Sequence, residues 1–160
     1  MLFGDPDKFS IWFDAVEFWS TDRFKNGCFA YFIGGKLFWS LKSTIGADIN
    51  LLSKMNCLKD SVENVRLFNL PAMEAYVELC SSAFPSMDSD AECSDFTHLI
   101  SVGSLMDEGH NVFLVEAGND ARIIYGFNND PSSVFEHFLE RGEVQVIAKQ
   151  VVASWKAVEQ

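Results

Sequence analysis

The chain has 160 residues, 48% apolar and 22% charged. That balance favours one globular domain burying about 70% of its unfolded surface, with no need for disulfide or metal staples. Its 23 Asp and Glu against 12 Lys and Arg give a formal net charge of −11, which repels nucleic acid and anionic membranes and attracts basic partners.

Taken in order, Gly4-Asp5-Pro6-Asp7 reads as a turn. From Phe9 the pattern alternates, with Phe9, Ile11, Phe13 and Ala15 on one face and Ser10, Trp12, Asp14 and Val16 on the other. That period of two predicts a strand with one buried face. Asn26-Gly27 signals a turn before a second strand, Cys28 to Ile33. Gly34-Gly35 then turns the chain into a third strand, Lys36 to Ser40, completing an antiparallel meander. The first forty residues hold 12 of the aromatic side chains, so the core is expected to start here.

Asp48 is the expected N-cap of a helix bearing Ile49, Leu52 and Met55. Residues 56–69 are polar and read as loop. Pro71 opens a second helix whose stripe is Met73, Tyr76, Val77, Cys80 and Phe84, stopped by Pro85. The window from Ser86 to Asp95 carries Asp88, Asp90, Glu92 and Asp95 with no base, and reads as an exposed loop. Phe96 to Val102 is a possible short strand. Asp107-Glu108-Gly109 turns the chain into a strand from Asn111 to Glu116, and Gly118-Asn119-Asp120 returns it along Ala121 to Phe127. Asp130-Pro131 is read as the start of a third helix, with Val134, Phe135, Phe138 and Leu139 as its stripe and Gly142 as its stop. Glu143 to Ala148 alternates like a last strand, before a terminal helix bearing Val151, Val152, Trp155 and Val158. The sum is an α+β fold in one domain, residues 1–160: a largely antiparallel sheet of about five to seven strands packed by three to four helices.

No catalytic constellation emerges. The four cysteines, Cys28, Cys57, Cys80 and Cys93, include no Cys-x-x-Cys and read as reduced thiols. The three histidines, His98, His110 and His137, lack the spacing of a helical metal pair. Gly34-Gly35-Lys36 is too short for a phosphate loop. Asp88-x-Asp90-x-Glu92 starts like a calcium loop, but Cys93 stands where Gly is needed and Leu99 where the bidentate Glu belongs. No metal or cofactor is therefore expected. The N-terminus shows no basic start followed by an apolar core, and the longest apolar run, Cys28 to Ile33, is far short of a membrane span. The expected compartment is the cytoplasm.

Gly4-Asp-Pro-Asp-Lys-Phe-Ser-Ile11, followed by Gly27-Cys-Phe-Ala-Tyr-Phe-Ile-Gly34, resembles the opening of the Immunity protein 42 family. Phe113-Leu-Val-Glu116, Arg122-Ile-Ile-Tyr-Gly126 and Gly142-Glu-Val144 are similar in order. These are core and turn residues, so they identify a fold rather than a binding surface. The resemblance implies a non-catalytic bacterial immunity protein of the polymorphic-toxin and contact-dependent inhibition systems, which binds the C-terminal domain of one cognate toxin. Many such toxins are nucleases with basic clefts, which an acidic inhibitor can occlude. The expected toxin-binding residues are Asp88, Asp90, Glu92 and Asp95 of the acidic loop and Asp107 and Glu108 of the later turn. The alternative from another class is a small enzyme or ligand-binding domain with an aromatic-lined pocket near Trp12, Trp19 and Trp39; a third is an adaptor using an exposed aromatic patch. The residues do not fix an oligomeric state.

Overall fold

The aromatic-rich opening folds as an antiparallel sheet because its apolar side chains alternate. The computed structural model describes residues 1–158, with side chains through Ala157. Four strands, β1 (Leu2–Gly4), β2 (Phe9–Ala15), β3 (Asn26–Ile33) and β4 (Lys36–Thr44), lie side by side in that order. Phe9, Ile11, Phe13, Phe29, Tyr31, Ile33 and Phe38 point inward and are buried. Gly34 and Gly35 both take positive φ, 56° and 78°, as the tight hairpin requires. β1 is too short to stand out in the sequence, and it pairs with β2 from Leu2↔Trp12 to Gly4↔Ser10. Asn26-Gly27 is not a turn. It lies within β3, where a Cβ on Gly27 would stand 2.0 Å from the Asp14 carbonyl oxygen. The glycine serves close strand approach rather than chain reversal.

A second antiparallel sheet follows, in the order β5 (His110–Ala117), β6 (Asp120–Phe127) and β7 (Asp130–Glu140). The expected strands are therefore divided between two sheets. β7 corrects the reading of a helix after Asp130. Phe127 pairs with Asp130, so Asn128-Asn129 forms a two-residue hairpin turn, and Asn128 takes φ 49°. Pro131 is accommodated because β7 is an edge strand. Both faces of β7 carry apolar residues, since the sheet is covered on both sides, and the alternation that marks a strand is lost.

Five helices complete the chain: α1 (Ile45–Ser53), α2 (Val65–Asn69), α3 (Ala72–Ala83), α4 (Gly103–Asp107) and α5 (Glu143–Val158). α5 replaces the expected strand and helix with one element. Its buried positions Val144, Ile147, Ala148, Val151 and Trp155 follow a helical period, and Gly142 at φ 89° precedes it. The side chain of Val158 lies outside the described residues. Asp48 sits inside α1 rather than capping it, because Thr44 begins the helix one turn earlier. It is buried, accepting from Ser43 Oγ at 2.5 Å and from the Ser104 amide at 3.0 Å, which ties α1 to β4 and α4. Met55 falls beyond the helix end. In α3 the buried stripe is Ala75, Tyr76, Leu79, Cys80 and Ala83, and the expected Met73 and Val77 are exposed. Residues 56–69 hold a short 3-10 turn and α2. Residues 96–102 form no strand and only touch the second sheet, through a Leu99↔Phe113 bridge.

Two cores result. The larger lies between the sheets and includes α1 and α5; the smaller lies beneath α2 and α3 on the other side of the second sheet. Alternate residues of β5 and β6 divide between them. Val112, Leu114, Ile123 and Tyr125 enter the first, and Phe113, Val115 and Ile124 the second. Gly126 admits Tyr76 of α3 so closely that a Cβ would stand 2.2 Å from the ring. Arg122 of β6 is buried in the second layer. Its Nη1 donates to the carbonyls of Phe68 (2.8 Å) and Leu70 (2.7 Å), ending α2, while Nε donates to Glu136 at 2.6 Å. Arg122→Ala should cost about 3 kcal/mol in urea unfolding, because it strands two helix-end carbonyls and a carboxylate together. A loss below about 1 kcal/mol would show that water replaces the guanidinium there.

Candidate functional site

The acidic segment expected to engage a partner is an exposed loop leaving α3, and every residue from Ser86 to Asp95 is exposed. It is anchored at its end, where the Asp95 amide donates to the Ser82 carbonyl at 2.8 Å. The Asp95 carboxylate accepts from the Thr97 hydroxyl (2.6 Å) and amide (2.9 Å), which holds its carboxyl below the ordinary range. Among the described residues no base forms an ion pair with Asp88, Asp90, Glu92 or Asp95. Four negative charges thus remain open to a partner.

The second acidic pair divides. Asp107 ends α4 and is exposed, whereas Glu108 is partly buried against β4, ion-paired with Lys42 at 3.4 Å and accepting from Ser40 Oγ at 3.5 Å. Asp95 and Met106 line one cleft of about 540 Å³ with an apolar floor that includes Phe84, Phe96 and Leu99. The fold therefore sets Asp95 and the end of α4 on one cleft, while Glu108 is engaged elsewhere.

Sequence reasoning assigned the aromatic opening mainly to the core and kept an exposed aromatic patch only as an alternative. Leu2, Trp12, Ala30 and Trp39 form one cross-strand row, and Phe32 pairs with Leu37 in the next. Leu2, Leu37, Trp39 and Leu41 are each about half exposed, and none of these four, nor Trp12 or Phe32, belongs to either core. Ala30, fully buried between two indoles, leaves room for both. A contiguous apolar sheet face without a covering helix marks an interaction surface. The signal was present in Leu37-Phe-Trp-Ser-Leu41, whose apolar residues occupy both faces of a strand.

Three of the four thiols are buried and Cys93 is exposed, on the acidic loop. Cys28, Cys57 and Cys80 are buried free thiols, and burial raises their pKa, that of Cys57 to about 12. The His98 ring is bonded to the Leu114 carbonyl and the His110 ring to the Tyr125 hydroxyl. His137 lies on β7 rather than a helix, packed under Gly34. Among the described residues no three His, Cys, Asp or Glu side chains converge to hold a metal ion. Trp12 and Trp39 stand on the open sheet face, and neither they nor Trp19 line the clefts described here. Among the described residues no helix is long and apolar enough to cross a membrane.

The model of the Immunity protein 42 family matches residues 1–154, and the chain belongs to that family. The match takes in all seven strands. The chain is also similar to CdiI from Burkholderia dolosa AUO158, whose crystal structure superposes with a TM-score of 0.93 at 51% identity, covering 96% of this chain and 99% of that one. A comparison with curated proteins found no match.

One titratable group adjoins the Glu108 turn. His110 is partly buried between Phe38 and Phe127, and burial lowers its pKa below the ordinary value of about 6.5. The unfolded chain then takes up this proton at higher pH than the folded one, so the folded state loses stability as pH falls through that value. His110→Gln should flatten the fall in melting temperature between pH 7.5 and 5.5. An unchanged slope would assign the pH dependence to other groups.

Proposed function

We propose that this Immunity protein 42 family member works in the cytoplasm of a toxin-exposed bacterial cell, as one non-catalytic domain spanning residues 1–160. There it binds the C-terminal domain of a single cognate contact-dependent inhibition toxin and occludes its active site. The observation that supports a docking role most directly is the uncovered face of the first sheet, with Trp12, Trp39, Leu37 and Leu41 outward. Tryptophan is enriched among the residues that carry binding energy at interfaces. An immunity protein must hold one partner tightly, and a rigid apolar sheet face is preorganised for that.

The acidic segments supply the electrostatics. Asp88, Asp90, Glu92 and Asp95 on one loop and Asp107 at the α4 turn present negative charge in a chain of net charge −11, whereas Glu108 beside Asp107 is paired with Lys42. A nuclease toxin presents a basic cleft to its substrate's phosphates, and these carboxylates fit such a cleft in place of phosphate. Charge at the rim mainly speeds encounter, whereas apolar burial at the centre mainly slows escape.

The two contributions are separable by kinetics on the purified toxin domain. Neutralising the loop, with Asp88, Asp90 and Asp95 to Asn and Glu92 to Gln, should slow association about tenfold at low salt and flatten its salt dependence. Trp39→Ala with Leu37→Ala should leave association nearly unchanged and speed dissociation at least tenfold, a typical effect of losing a buried anchor. Binding that ignores salt in the wild type would remove the acidic mechanism. A wild-type protein that binds no toxin would remove the function itself.

A further inference from the structure

A chain with 23 acids and 12 bases gathers three cations around a single cleft that has no acid in its lining. The cleft, about 460 Å³, opens between α1, α5 and the connection leading into β3, and Arg23, Lys25 and Lys156 line it. Arg23, Lys25 and Lys156 pair with no described residue, as is true of most of the other lysines, but here three such cations share one lining. Like charges around one cleft repel, so a lining that holds no acid favours an anion between them.

The apolar parts of the cleft are also in place. Trp155 is buried at its base, held edge-on against Phe13. Phe24 is 57% exposed on the rim. It is displayed by a tight turn in which the Phe24 amide donates to Thr21 Oγ1 at 3.1 Å and the Thr21 amide to the Phe24 carbonyl at 2.9 Å. The connection is braced below by the Ile45 amide, which donates to the Lys25 carbonyl at 2.9 Å, and by Thr44 Oγ1, which donates to Asn26 Oδ1 at 3.1 Å. Arg23 and Lys25 are therefore presented from a supported segment rather than a free one. Arg offers a planar fork to two oxygens of one group, and Lys a mobile point charge.

We infer that this cleft binds an oxyanion, a phosphate or carboxylate group held by Arg23, Lys25 and Lys156, with its apolar body against Phe24 and Trp155. The site is distinct from the acidic loop and from the open face of the first sheet. The oxyanion comes either from a free phosphorylated small molecule or from an acidic side chain of the toxin, and two measurements separate these sources.

The first titrates the wild-type protein with inorganic phosphate at constant ionic strength and follows backbone amide resonances. Saturable shifts are expected at residues 23–25 and 44–47, and they should vanish in the Arg23→Glu/Lys156→Glu double variant. The second measures toxin affinity of the same variant, whose folding is verified by its unchanged circular dichroism. Phosphate saturation with unchanged toxin affinity assigns a free ligand. A loss of at least about tenfold in toxin affinity, with or without phosphate competition, assigns the toxin's own carboxylate. No saturable phosphate shift together with unchanged toxin affinity overturns the site. The phosphate titration needs no toxin, so it stands whether or not the immunity reading holds.

Discussion

Coverage of the second sheet on both faces is the constraint from which the rest of the structure follows. β5 and β6 are buried along nearly their whole length, so each needs apolar partners above and below. α2 and α3 fill one side, while α1, α5 and the inner face of the first sheet fill the other. That allocation leaves no helix for the outer face of the first sheet. Double coverage also demands a polar device where α2 ends against the sheet, because its last carbonyls are shut away from water. Arg122 supplies that device from β6 itself, and Glu136 on the neighbouring strand balances its charge. Replacing the guanidinium with an ammonium would lose the fork that reaches both sets of acceptors.

The charges fall into three kinds by what surrounds them. Arg122 and Arg141 are structural; Arg141 joins Glu63 at 2.5 Å and the buried Glu116 at 3.2 Å, tying the segment before α2 to β5 and the start of α5. Glu116 also accepts from Gln145 of α5 at 2.7 Å, so its burial is fully compensated. The carboxylates of the acidic loop form no ion pair with a described residue, although Asp95 accepts from Thr97, and they are displayed. Arg23, Lys25 and Lys156, beside α1, likewise form no ion pair with a described residue, on another part of the surface. Separation of the two unpaired sets is informative, because nearby opposite charges would have neutralised each other and left neither surface with a field.

Legibility in the sequence followed exposure. The first sheet, half-buried, kept the alternation of Phe9, Ile11 and Phe13, and its Gly34-Gly35 hairpin was readable from residue type alone. β7 reads as a helix in the sequence because Val134, Phe135, Phe138 and Leu139 fit a helical stripe equally well, Asp130-Pro131 looks like a helix start, and Asn128-Asn129 lacks the glycine that marks a two-residue turn plainly. α5 was split because Val144, Gln145, Val146 and Ile147 alternate locally, while the longer run from Val144 to Trp155 keeps a helical period. α4 and β1 are too short for any periodicity to speak. The acidic loop was legible from composition. The open apolar face was not, since a strand pattern cannot tell which of two apolar faces will find a cover; that is settled by how many helices remain once the other sheet is enclosed.

An immunity protein faces two demands that pull in different directions. It must meet its toxin quickly, which favours long-range charge, and it must not let go, which favours dehydrated contact. Putting both on one patch weakens each, because burying a carboxylate beside an indole costs desolvation that the partner must repay. Here the apolar residues occupy the rigid pleat of a sheet, and the carboxylates occupy a loop and a turn at other places on the surface. The loop can adjust to a partner's charges without disturbing packing, because its residues are exposed throughout. The sheet cannot adjust, since its inner face is locked into the larger core. If the first sheet's outer face is the docking surface proposed above, specificity for one toxin falls mainly on the shape presented by Trp12, Trp39, Leu37 and Leu41. On the same proposal, affinity for basic proteins in general falls on the loop. On this division, relatives that face different toxins should differ most on the outward positions of β2 and β4, while the inward positions of the same strands stay fixed by the core.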